Sequence, residues 1–161
     1  MESKNRRRLY VGIASIFLLS ALVSCSSSGD RETRQIQELV EKHARAWEQG
    51  DEIALENILS DDVVFAYPGR RLNKQETLED LQFFKENFTN TKVYIHNIIV
   101  DTPMVAVEWQ FATTSTQTGD RQVVSDAIIG EVHDGKITLW KEYLDGRVKN
   151  LQATGELELE E

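Results

Sequence analysis

The sequence holds one cysteine (Cys25), two prolines and three histidines in 161 residues. A lone thiol excludes an internal disulfide framework and any zinc ribbon or four-cysteine site. Three scattered histidines, without i,i+4 pairing or cysteine company, form no metal motif, so no metal ligand is expected. Few prolines, nine glycines and an apolar fraction of 40% exclude collagen-like and wholly disordered chains. Positive charge is scarce too. Against 27 Asp and Glu stand 18 Lys and Arg, a formal net charge of −9. That balance argues against a nucleic-acid partner, which needs a basic face to displace counterions from phosphate. No Gly-rich phosphate loop occurs, and no cofactor is expected.

The one long apolar run lies at the N-terminus. Lys4, Arg6, Arg7 and Arg8 precede Leu9 to Val23, which only Gly12, Ser15 and Ser20 interrupt. The run is too short and too abruptly ended for a membrane-spanning helix, and reads as a secretory leader. Leu22-Val23-Ser24-Cys25 closes it and resembles the bacterial lipobox. The resemblance implies that residues 1–24 are removed and that the bilayer is a partner through acylated Cys25. The alternative is an ordinary signal with a chance cysteine. Ser26 follows in place of Asp, which implies a lipid-anchored protein of the cell envelope, on the periplasmic face of the outer membrane in a Gram-negative cell. Residues 25–30 read as a flexible tether. Four bases and one acid leave with the leader, so the remaining 137 residues carry 14 Lys and Arg against 26 Asp and Glu. Such a domain is repelled by an anionic leaflet, and lipid has to do the anchoring.

Helices come first in the remaining chain. From Arg31 to Gln49 the residues Ile36, Leu39, Val40, His43, Ala46 and Trp47 follow a helical stripe. Gly50 stops it, and Asp51 can cap a short helix from Glu52 to Leu59. Val63 to Tyr67 reads as a strand ended by Pro68-Gly69. Asn73-Lys74-Gln75-Glu76 has the form of a capping box, opening a third helix with Leu78, Leu81, Phe84 and Phe88 along one side. Four strands follow: Lys92–Val100, Met104–Thr116, Arg121–His133 and Lys136–Leu144, separated by turn residues such as Asp134-Gly135. Alternation is clearest in Val105, Val107, Trp109 and Phe111. The expected fold class is α+β, three N-terminal helices packed on a curved antiparallel sheet over residues 31–148, with an acidic C-terminal tail over 149–161.

Ala46-Trp47-Glu48-Gln49-Gly50-Asp51, Asp61-Asp62-Val63, the Val105-to-Phe111 strand and Asp134 to Asp145 together resemble the SnoaL-like branch of the NTF2-like superfamily. Its cone-shaped scaffold hosts isomerases, cyclases, hydrolases and inert binders, so the likeness implies fold more than function. His43 stands at the spacing where ketosteroid isomerases of this fold carry the oxyanion-hole tyrosine. An inward imidazole could donate a hydrogen bond or take a proton; a core histidine is the other reading. Tyr67 takes the place of the isomerase's general-base Asp, and a phenol of pKa about 10 is a poor base. It reads as a hydroxyl offered to a ligand, or as packing. In the limonene-epoxide-hydrolase type, an Arg-x-Asp pair falls where Trp109 and Phe111 stand, and the terminal acid falls on Glu142. With two of the three polar members aromatic, epoxide hydrolysis is disfavoured.

If Trp109 points inward, Asp126 and Ile128 share its face, and Glu142 falls close to Ile128 across the last hairpin. Asp126 and Glu142 are then near diagonal neighbours, able to act as acid and base; one of them facing solvent is the other outcome. Trp47, Phe84 and Phe88 read as core. The expected function is a tethered domain binding a small hydrophobic molecule in an apolar pocket lined by His43, Tyr67, Trp109 and Phe111. One alternative is a SnoaL-type enzyme (isomerase, cyclase or hydratase) with Asp126, Glu142 and His43 as catalytic candidates. Another is an interaction module with a vestigial cone. Val123, Ala127 and Ile129 fall on the outer sheet face and could bury a second copy in a homodimer.

Overall fold

The computed structural model describes residues 28–144 and 146–158. The leader and the lipobox residue Cys25 lie outside the described residues. Helix α1 (Ser28–Gln49) starts three residues before its periodicity predicts. Ser28, Gly29 and Asp30, expected in the tether, therefore form its first turn. Gly50 ends the helix with φ +61°, and the Asp51 N–H returns to the Ala46 carbonyl at 2.9 Å. A Cβ at Gly50 would also stand 2.8 Å from Cδ of Lys85. The Asp51 side chain accepts from the Ala54 N–H at 3.0 Å, capping α2 (Glu52–Ile58).

Strand β1 (Leu59–Tyr67) begins directly after α2, four residues ahead of expectation. Pro68-Gly69 turns it into a short strand that the sequence did not announce, β2 (Arg70–Leu72), antiparallel to β1. The capping box forms as predicted: Asn73 accepts from the Glu76 N–H at 3.0 Å and donates its own N–H to Glu76 Oε2 at 2.8 Å, opening α3 (Lys74–Asn87). Phe88 is the first residue of β3 (Phe88–Asp101), where the helical stripe had included it. Strands β4 (Met104–Ser115), β5 (Arg121–His133) and β6 (Lys136–Leu144) fall within a residue of their predicted ends. Asp134 and Gly135 turn β5 into β6 with φ +49° and +72°.

The six strands make one sheet in the order β2-β1-β6-β5-β4-β3. All pairs are antiparallel except β1 with β6, which run parallel. Register fixes the faces. Trp109 lies opposite Asp126, and Ile128 opposite Glu142, so the expected diagonal is present. Gly130 sits opposite Trp140, and a Cβ there would meet Val105 Cγ1 at 2.9 Å and Trp140 Cε3 at 3.3 Å. The missing side chain makes room for the Trp140 indole. Ile36, Leu39, Val40 and Trp47 of α1, with Leu55 of α2 and Leu81 of α3, pack on Val105, Val107, Trp109, Ile128 and Trp140 of this inner face.

On the outer face Ala127 and Ile129 are exposed as predicted, but Val123 is only 3% exposed. A fourth helix, α4 (Gly146–Thr154), lies against β5 there, in the stretch expected to leave the domain at Val148. Its Gln152 amide accepts from the Val123 N–H at 3.2 Å and donates to the Val123 carbonyl at 2.8 Å. It completes the strand edge that β6 leaves open when its pairing stops at Leu144.

Candidate functional site

Helix α1 brings His43 against the inner sheet face, and the aromatic strand residues seal it there. It is 0% exposed, with its ring centroid 4.2 Å from that of Trp140 and stacked at 10° on Trp109. Trp47 Nε1, one helical turn on, donates to His43 Nε2 at 3.2 Å. Nε2 therefore carries no proton, which assigns the ring hydrogen to Nδ1. Burial pushes the imidazole down to about 3. The core reading of His43 is thus the one the geometry gives: it does not line the cavity described next, and it is neutral far below physiological pH.

Above this floor the sandwich opens into a cavity of about 280 Å³. Tyr67, Trp109 and Phe111, three of the four residues expected to contact a ligand, line it, as do Asp126 and Glu142. Trp47 and Phe84, read from sequence as core, line it as well, with Phe111 edge-on to both at 6.4 and 5.2 Å. Exposed Phe83 and the aliphatic Val124 and Leu144 complete much of the remaining wall. His96 is exposed: a bulge between Ile95 and Asn97 takes it out of the pairing, and Ile95 stands opposite Trp109.

Three carboxylates face this space, each with a ring-borne or phenolic donor. Trp109 Nε1 donates to Asp126 Oδ2 at 3.0 Å, and Trp140 Nε1 donates to Glu142 Oε1 at 3.1 Å. The Tyr67 hydroxyl donates to Asp80 Oδ2 at 3.0 Å, while Arg70 lies 3.6 Å from Asp80 Oδ1. Burial, with the Asp80 charge, pushes the phenol up to about 12, so Tyr67 is a donor and no base. Burial pushes Asp126 up to about 6 against the Trp109 hydrogen bond. Burial and the neighbouring Asp126 charge push Glu142 up to about 8 against the Trp140 hydrogen bond. Diagonal strand neighbours stand roughly 7–8 Å apart, so the two titrate as a coupled pair. Asp126 is 6% exposed, and its Oδ1 has no partner among the described residues.

Asp80 is the member that sequence reasoning missed. Thr77, Asp80 and Phe84 follow the i, i+3, i+7 spacing of one helix face, and an acid on that face was the available signal.

A family model described as a SnoaL-like domain matches residues 40–140. The chain belongs to the SnoaL-like domain family. No curated protein matches the chain. Among solved structures, an epoxide hydrolase of the limonene-epoxide-hydrolase-like type from M. tuberculosis is 23% identical, with TM-score 0.66 over 80% of this chain and 96% of that one. IdmH of Streptomyces antibioticus, described as a candidate polyketide cyclase, is 18% identical with TM-score 0.66, over 73% of this chain and 97% of its own. A protein of Catenulispora acidiphila with a ketosteroid isomerase-like fold, solved with trimethylamine, is 16% identical with TM-score 0.67, over 76% and 98%. At these identities the likeness is one of fold, and the SnoaL-like domain is an α+β NTF2-like structure.

Proposed function

We propose that the SnoaL-like domain binds a small, predominantly apolar molecule in its aromatic cavity, and does so at a membrane surface from an acylated Cys25. One observation carries the binding reading: an open cavity of about 280 Å³, walled by aromatic rings, with carboxylates held at fixed positions on adjacent strands. Such a space desolvates an apolar body cheaply and leaves orientation to a few polar groups. An environment-sensitive apolar dye should bind the isolated domain, and Val124→Trp, which fills the cavity, should abolish binding while the circular dichroism spectrum is kept. Equal dye binding by the two proteins would place the dye elsewhere and remove this reading.

The anchor rests on the leader and lipobox alone. Cys25→Ala should abolish acylation and move the protein from the membrane fraction to the soluble one. A variant still membrane-bound with an uncleaved leader would mean a different attachment.

A second reading, a proton-transfer enzyme, is favoured by the pair Asp126 and Glu142. Near pH 7 the higher-titrating Glu142 holds a proton to give and Asp126 is ionised to take one, the division of roles that separated pKa values allow. Carboxyl-carbon NMR titration should show two steps, near 6 and near 8. Both carboxyls titrating near the ordinary value of about 4 would remove the enzyme reading and leave binding.

A further inference from the structure

We propose that the ligand of this cavity is a protonated amine with an apolar body, its charge held by the carboxyl groups of Asp126 and Glu142. The proposal rests on the cavity being a small-molecule site and names the chemical class that fits it. Donors are the first ground. The side-chain N–H and O–H groups of the rings lining the cavity are Trp47 Nε1, Trp109 Nε1 and the Tyr67 hydroxyl. Each is committed, to His43, Asp126 and Asp80 respectively. Among the described residues that line the cavity there is no Lys, Arg or His, and Arg70, beside it, is paired with Asp80 at 3.6 Å.

An orphaned acceptor is the second ground. Asp126 is 6% exposed and faces the cavity; Oδ2 takes the Trp109 indole, and Oδ1 takes nothing among the described residues. A buried carboxylate oxygen without a donor carries an unrecovered desolvation cost, which a cation seated in the cavity lowers through its charge without touching Oδ1 itself. Charge is the third. A cation meets the carboxyl group of Asp126, and that of Glu142 once it ionises, together with aromatic faces, whose quadrupoles favour it; Asp80 is already paired with Arg70 and the Tyr67 hydroxyl. A neutral alcohol gains nothing from the charges, and an anion is repelled.

Binding a cation favours ionised carboxyls, so it is linked to protons. The groups facing the site are Asp126 of β5, Glu142 of β6, Asp80 of α3, Tyr67 of β1 and Arg70 of β2, with neutral His43 of α1 behind the indoles. Asp126 and Glu142 are the two whose protonation changes between pH 5 and 9 through burial, so amine affinity should fall as pH falls through their range.

The test uses three ligands with one apolar body, followed by calorimetry: 2-phenylethylamine, 2-phenylethanol and phenylacetate. Near pH 8.5 the amine should bind at least about tenfold tighter than the alcohol, a difference of about 1.4 kcal/mol, with phenylacetate weakest. The ratio should shrink toward pH 5.5, and binding near pH 7 should release protons, seen as a heat that varies with buffer. Asp126→Asn should bring the amine-to-alcohol ratio close to unity. If that variant does not fold, the wild-type ratio and its pH dependence decide the matter. An alcohol that binds as tightly as the amine near pH 8.5, or an unchanged ratio in Asp126→Asn, overturns the amine while the cavity reading stands. If none of the three binds but the apolar dye does, the amine is likewise overturned. Loss of dye and ligands alike overturns the cavity itself.

Discussion

His43 and Glu142 are ionisable groups inside the same helix–sheet sandwich, and burial moves them in opposite directions. The imidazole falls to about 3 and the carboxyl rises to about 8, so each is neutral at pH 7, chiefly through the cost of charge in an apolar surround, to which the Asp126 charge adds at Glu142. What separates them is access. The His43 ring is closed in by Trp47, Phe65, Trp109 and Trp140. Glu142 and its diagonal neighbour Asp126 line an open cavity, where an incoming molecule can change what they feel. A shifted proton affinity marks a candidate site only where something can reach it.

The two regions also leave opposite marks on stability. His43 binds a proton more weakly folded than unfolded, so its contribution is present above about 6.5 and is lost as pH falls toward 3. Asp126 and Glu142 bind protons more tightly when folded. Their contribution is present at low pH and is lost as pH rises through about 6 and then about 8. Between about pH 6.5 and 9 these two carboxyls set the trend, and stability should decline toward pH 9.

The largest effect should come from the residue shared by both regions. Trp47 donates to His43 on one side and walls the cavity with Phe84 and Phe111 on the other. Trp47→Ala should cost about 3–5 kcal/mol in denaturant melting and weaken dye binding as well. A cost below about 1 kcal/mol would show that floor and cavity are not joined through this ring. Next is Glu142→Gln, which keeps an acceptor for Trp140 Nε1 and removes the carboxyl that ionises against burial. Near pH 8.5 the variant should be more stable than the parent by on the order of 2 kcal/mol, with a flatter profile from pH 6.5 to 9. An unchanged slope there would assign the alkaline decline to another group.

The open half of this comparison was partly legible in the sequence, the sealed half less so. Alternation in β4 and the Asp134-Gly135 turn set strand parity, and parity alone placed Asp126 and Glu142 on one face as diagonal neighbours. The helical stripe put His43 on the inner side of α1, but no periodicity says whether an inner face meets a cavity or a stack of indoles. Asp80 escaped because its partner Tyr67 is thirteen residues away on another element. The parallel β1–β6 pairing has no local signal either, since it joins Leu59 to Ile137 across most of the domain. Helix α4 carries little amphipathic pattern, and a side-chain amide on one strand edge holds it there.

A smaller effect tests the Asp80 side of the cavity. Tyr67→Phe removes the hydroxyl donated to Asp80 and leaves Arg70 as the remaining partner of that carboxylate. It should cost about 1 kcal/mol, the net worth of one hydrogen bond to a partly buried acceptor. Ligand affinity should change little if Asp126 is the principal contact. A loss of affinity as large as that caused by Asp126→Asn would move the centre of recognition to Asp80.

The smallest effect isolates one hydrogen bond. Trp109→Phe keeps an aromatic ring in the wall and deletes the Nε1–H that Asp126 Oδ2 accepts. That bond favours the ionised carboxyl and opposes burial, so its loss should raise the Asp126 step above about 6. A bond worth about 1 kcal/mol corresponds to a rise of roughly 0.7 pH units, which carboxyl-carbon NMR resolves. The His43 titration should stay where it is, because its hydrogen bond comes from Trp47 and the imidazole remains closed in. A concerted move of both titrations would mean that the phenyl ring lets water down to the floor. The contrast between a sealed base and an accessible acid pair would then depend on one indole.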